Sequence, residues 1–152
     1  MKRFAFGLLA TFASCATHGS FPVTSYSGTV TTSFTDCATG ATVGTDTVEM
    51  LDLVLEDRSS STGLYELDVG SESCAVAFRS DGAAVSSFTL YPGSLCERSQ
   101  PDGSRIRFAF TSGTMERSAS AIMGAYVVRV TSPPDAIDGC VVRHVTFTAT
   151  ER

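Results

Sequence analysis

Residues 105–115 read Arg-Ile-Arg-Phe-Ala-Phe-Thr-Ser-Gly-Thr-Met, and this stretch decides the fold. Ile106, Phe108 and Phe110 recur at every second position, with Arg105, Arg107 and Ala109 between them. Successive side chains of a β-strand point to opposite faces, so the run has one apolar face and one polar face. A helix would scatter the same residues around its axis. A bulge at Gly113 would carry Met115 onto the apolar side as well. This segment reads as a strand with one face in a core.

The same period extends in both directions. Toward the C-terminus, Ile122, Tyr126, Val128 and Val130 define a strand that ends at Pro133-Pro134, and Val141, Val145 and Phe147 define another over about 140–150. Toward the N-terminus lie a run from Val85 to Tyr91, closed by Pro92-Gly93, and a run in which Cys74, Val76 and Phe78 alternate with Ala75, Ala77 and Arg79. Asp81-Gly82 separates those two, a pair that readily takes the positive φ of a hairpin turn. Before them Tyr65, Leu67 and Val69 alternate with Glu66 and Asp68, after a loop over Arg58–Gly63. A run over 46–57 places Leu51, Leu53 and Leu55 on one face, with Val48, Met50, Asp52 and Val54 on the other. The first, 24–36, places Tyr26, Gly28, Val30, Thr32 and Phe34 together. No segment of the helix-forming length, about eleven residues, has a helical period after residue 14. The class is all-β. Eight antiparallel strands with turn signals between them predict an up-and-down barrel, with a two-sheet β-sandwich as the alternative. An even count lets the first and last strands pair and removes the open edges, which favours the barrel.

Composition agrees with short strands and tight turns. The chain has 152 residues, enough for one domain, and only 18% of them are charged. The only lysine is Lys2, and there is no Asn, hence no N-glycosylation acceptor. Together with abundant Ala, Gly and Arg, this composition points to a high-GC bacterial genome. The formal charge is −5, and setting Lys2 and Arg3 aside leaves nine arginines against sixteen carboxylates. So acidic a chain lacks the basic patch that phosphate contacts need, so nucleic acid is not an expected partner.

The N-terminus carries an export signal. Residues 1–14, MKRFAFGLLATFAS, join a basic head (Lys2, Arg3) to an apolar stretch and then small residues. That is the layout of a secretory signal, and it is too short for a membrane span. Phe12-Ala13-Ser14-Cys15 resembles the lipobox of bacterial lipoproteins, with Phe12 where Leu is usual. The resemblance implies that Cys15 becomes the lipidated N-terminus and anchors the protein to a membrane. Plain secretion after cleavage at Ala13 or Ala16 is the alternative. Five cysteines are an odd number, and assigning Cys15 to the lipid leaves four. The expected organisation is a signal over 1–14, a tether over 15–22 and one β domain over 23–152.

The remaining cysteines follow from the strand order. Cys74 opens the fourth run and Cys96 lies just past the fifth, so an antiparallel hairpin brings them together. Cys37 follows the first strand and Cys140 opens the last, so closure of the barrel brings these together. The expected bridges are Cys74–Cys96 and Cys37–Cys140, formed in an oxidising compartment.

Cys74-Ala75-Val76, Tyr91-Pro92-Gly93-Ser94-Leu95-Cys96, Thr111-Ser112-Gly113-Thr114 and Gly139-Cys140-Val141 together carry a further resemblance. Their layout resembles the small cysteine-bearing lipoprotein domains of large-genome predatory soil bacteria, over about half of the chain. The resemblance implies a location and a fold, and no chemistry.

No arrangement of residues calls for catalysis. Nucleophilic catalysis needs a base beside the nucleophile. His18 falls in the tether and His144 mid-strand, where a cross-strand polar contact accounts for it, and no Gly-x-Ser-x-Gly elbow occurs. The cysteines have no Cys-x-x-Cys spacing, so no metal or cofactor is expected. Carboxylates cluster between Asp46 and Glu72, including Asp52, Glu56, Glu66 and Asp68, without the spacing of a calcium loop. Glu56 and Glu66 flank one loop as a glycosidase pair would, but the aromatic platforms of a sugar site are thin in a chain without Trp. Two charges break their local pattern: Arg143 shares a face with Val141, Val145 and Phe147, and Asp52 shares one with Met50 and Val54. An interior charge needs a partner or a ligand. The expected function is therefore a non-catalytic, envelope-anchored binding or structural module. Its alternatives are a calycin-like carrier of a small apolar ligand, with a cavity lined by Phe108, Phe110, Tyr126 and Arg143, and an inhibitor of a foreign hydrolase. An inhibitor would present a protruding loop, of which Ser94–Ser104 is the longest candidate.

Overall fold

Period-two alternation produces nine strands in the computed structural model, which describes residues 22–58, 63–70, 74–80, 86–132 and 140–152. In chain order they are β1 Val23–Asp36, β2 Thr42–Asp57, β3 Leu64–Val69, β4 Val76–Ser80, β5 Ser87–Leu90, β6 Leu95–Ser99, β7 Arg105–Arg117, β8 Ala121–Thr131 and β9 Cys140–Glu151. The signal segment, Cys15, most of the tether, Glu72, Asp81-Gly82 and Pro133-Pro134 lie outside the described residues.

All pairings are antiparallel, and eight strands close into a barrel: β1, β2, β3, β4, β5, β7, β8 and β9, with β9 returning to β1. The ninth strand, β6, corrects the expected loop over Ser94–Ser104. Pro92-Gly93 turns the chain only briefly, after which Leu95–Ser99 pairs with Arg105–Ala109. β5 and β6 thus run along one edge of β7 as a single interrupted strand, β5 beside Thr114–Glu116 and β6 beside Arg105–Ala109. Five of its residues are thus in the sheet and Cys96 is bridged to Cys74, which leaves residues 101–103 exposed at the tip of a β6–β7 hairpin.

The two ends of the barrel differ. At one end the ring of hydrogen bonds is complete. Tyr26, Leu53, Tyr65, Leu67, Phe78 and Phe88 meet there and are fully buried, joined by Met115 and Ile122. The Tyr65 and Phe88 rings meet edge to face at 4.8 Å. Each side chain of this size contributes about 1.5–3 kcal/mol by leaving water, so this end is the solid core. β1 and β9 approach so closely here that a Cβ on Gly28 would lie 2.1 Å from the Thr148 carbonyl oxygen, so only glycine fits.

At the other end the wall is split. Residues 42–50 of β2 pair only with β1, and β6 pairs only with β7, among the described residues. Both disulfides lie at this end. Cys37–Cys140 joins the end of β1 to the start of β9, and Cys74–Cys96 ties the approach to β4 to β6. The second bridge therefore crosses the part of the wall that hydrogen bonds leave open. These are the two pairs that the strand order predicts. Two disulfides in one small domain point to an oxidising, extracytoplasmic location.

Three register shifts interrupt the pairings, one of them near the end of β1 between Phe34 and Thr35, and the other two bear on the cavity and the core. On β7 the register shifts at Thr111, two residues before the expected Gly113, and Met115 still turns into the core with 1% of its surface exposed. On β2 the register shifts between Gly28 and Val30, where Glu49 and Met50 stand opposite Thr29. Met50 has φ of 57°, a left-handed conformation that costs a side-chain-bearing residue about 1–2 kcal/mol. The bulge reverses the parity of β2: Leu51, Leu53 and Leu55 face inward after it, while Asp46 and Val48 face inward before it.

Candidate functional site

The split end holds an open-mouthed cavity of about 310 Å3 between the inward faces of β1, β2, β3, β7, β8 and β9. Its walls come from the alternation of each strand. Val30, Phe108, Phe110, Val128 and Val145 supply apolar surface, and Thr32, Asp46, Tyr126 and Arg143 supply polar groups. Phe108, Phe110, Tyr126 and Arg143, the residues expected to line a cavity, all converge on it. Sequence reasoning missed Thr32, Asp46 and Val48. The last two follow from the β2 bulge, and the one sequence signal was an apolar Val48 out of phase with Leu51, Leu53 and Leu55.

Arg143 sits in the middle of the concave wall, with Phe34 of β1 and Val128 of β8 as its register partners. Its guanidinium lies 5.6 Å from the Phe34 ring centre and 5.9 Å from that of Phe108. The electron-rich ring faces attract the cation and partly offset its loss of water. No carboxylate forms an ion pair with Arg143 among the described residues. Arg143 is itself part of the cavity lining.

Tyr126 is the next inward residue of β8 after Val128, toward the closed end. Its ring packs edge to face on Phe110 at 5.9 Å and tilts against Phe147 at 6.4 Å. Burial pushes its hydroxyl up to about 12; the charge of Arg143 opposes that rise, and Asp68 adds to it. The hydroxyl is therefore a neutral hydrogen-bond donor across the physiological range.

The other expected residues stand apart from this cavity. Asp52 is on the outer face, paired with Arg152, so it is not an interior charge. The β2 bulge explains this, because Met50, Asp52 and Val54 follow one another along the outside. Glu56 and Glu66 are register partners, and both hold Arg58, at 3.1 and 3.0 Å. Their approach thus serves a cation clamp on the outer wall. Asp68 faces outward beside Val54, and the described residues contain no group of three metal-ligating side chains. His144 lies on the outer face of β9, where its Nε2 is 3.4 Å from the Thr35 hydroxyl across the strand. Comparisons of the chain with protein-family models, with curated proteins and with solved structures return no match.

Proposed function

We propose that this domain is a non-catalytic binding module that holds a small, largely apolar molecule in the split end of its barrel. The observation that supports it best is the separation of the interior into two parts. The closed end is packed solid, whereas the split end keeps a cavity with apolar walls and a few convergent polar groups. Binding sites for small molecules have this composition, and about 310 Å3 lies at the low end of their usual 300–1,000 Å3. The position of His144 outside the cavity also favours binding over catalysis, since the cavity lining contains neither an imidazole nor a thiol among the described residues.

The location completes the reading. The signal over 1–14 and the lipobox-like Phe12-Ala13-Ser14-Cys15 support a protein anchored to the cell envelope through a lipid on Cys15. A mature chain beginning at Cys15 with added acyl mass is the expected product by mass spectrometry; an unmodified Cys15, or a start at Thr17, contradicts the anchor.

The binding reading is tested with N-phenyl-1-naphthylamine, a neutral apolar dye that brightens out of water. Thr32 and Thr31 are neighbours on opposite faces of β1, so Thr32→Phe fills the cavity while Thr31→Phe decorates the outside. The wild-type protein and Thr31→Phe should brighten the dye, and Thr32→Phe should not. No response from the wild type, or an equal response from both variants, refutes a ligand-binding cavity.

A further inference from the structure

Resting on that binding reading, we infer that the cavity selects a carboxylate-bearing amphiphile, its apolar body along the phenylalanine and valine walls and its anionic head on Arg143. The inference starts from a charge that the fold leaves unanswered. Arg143 is half-buried in a mostly apolar wall, so part of its hydration is lost, and no carboxylate replaces it among the described residues. The rings of Phe34 and Phe108 lie 5.6 and 5.9 Å away and fix the side chain in place. Neither ring can accept a conventional hydrogen bond in its plane, and no carboxylate pairs with the cation among the described residues. A planar fork of N–H donors matches the two oxygens of a carboxylate, which it binds through parallel, charge-assisted bonds.

The surroundings give the ligand a direction. Phe110 and Val128 continue the Arg143 row across β7 and β8, so apolar surface begins where the cation ends. Tyr126 lies diagonally beside Arg143 on β8 and shares the cavity lining with it. Asp46 is the one acidic residue of the described lining. It is exposed on the stretch of β2 that pairs only with β1, opposite Thr32. It repels an anion from that side of the mouth and so steers the head toward Arg143.

The test compares three ligands with the same tail at pH 7: decanoate, decan-1-ol and decylammonium, titrated calorimetrically into the oxidised protein. Charge-assisted bonds to a guanidinium should make decanoate bind roughly tenfold to a hundredfold tighter than the alcohol. The amine should be weakest. Arg143→Gln should remove the preference, read as the ratio of decanoate to decanol affinity within that variant. Arg143→Lys keeps the charge without the fork and should retain part of the preference; circular dichroism verifies that each variant is folded. Equal affinity for decanoate and decanol, or a preference that survives Arg143→Gln, overturns the selection and leaves the cavity reading standing. If none of the three ligands binds, both fall.

Discussion

The two disulfides close loops of very different length, and this difference fixes which one the fold depends on more. Cys37–Cys140 spans 103 residues of sequence and Cys74–Cys96 spans 22. A cross-link stabilises chiefly by restricting the unfolded chain, and the restriction grows with the logarithm of the loop. The chain-entropy relation gives about 4.7 kcal/mol for the long loop and about 3.4 kcal/mol for the short one. Replacing both cysteines of a pair by serine avoids a free thiol and isolates each bridge. Urea unfolding, with wild type and both double variants on one instrument, should show the larger loss for the Cys37/Cys140 variant, by roughly 1 kcal/mol. Ligand binding should rank them the other way. The short-loop bridge crosses the open wall beside the cavity, so its loss should weaken dye binding more. A Cys74/Cys96 variant that is the less stable of the two, or that binds dye with wild-type affinity, refutes the reasoning on loop length or on wall closure respectively.

Met50→Gly should stabilise the protein by about 1 kcal/mol, because glycine accepts the left-handed φ of 57° that the β2 bulge imposes; a destabilised variant in the same urea assay counts against the bulge. Tyr126 loses its proton near pH 10 in the unfolded chain and near 12 in the folded one, so its contribution is complete below pH 10 and disappears as pH rises from 10 to 12. The loss amounts to roughly 3 kcal/mol, and Tyr126→Phe should remove that part of the alkaline fall in thermal stability. An unchanged alkaline profile in Tyr126→Phe contradicts the burial of the hydroxyl.

Much of the fold could be read from alternation because each strand has one buried face, and a one-residue slip would expose every apolar side chain. The barrel, the disulfide partners and the inward-facing Phe108, Phe110, Tyr126 and Arg143 all follow from that period. What alternation could not supply was its own interruptions. The bulge at Met50 carries Asp46 and Val48 inward and Asp52 outward, and nothing in residues 46–57 marks the residue at which parity reverses. The strand β6 was missed for a related reason. Leu95-Cys96-Glu97-Arg98-Ser99 lacks an apolar face because only one of its edges is paired and most of it is exposed. Its pairing comes from the neighbouring edge of β7, which is tertiary context. The difference between the two ends was also hidden, since it arises from long strands pairing with short ones.

The central claim is that a small apolar molecule enters the split end and not the solid core. Methyl-labelled NMR with decanoate tests it most directly. Val30, Val48, Val128 and Val145 line the cavity, while Leu53, Leu67, Val76 and Ile122 belong to the closed end. The account predicts that the four cavity valines shift together and saturate at one affinity while the closed-end methyls stay still. Shifts spread over the outer faces, or no shifts at all, would contradict it.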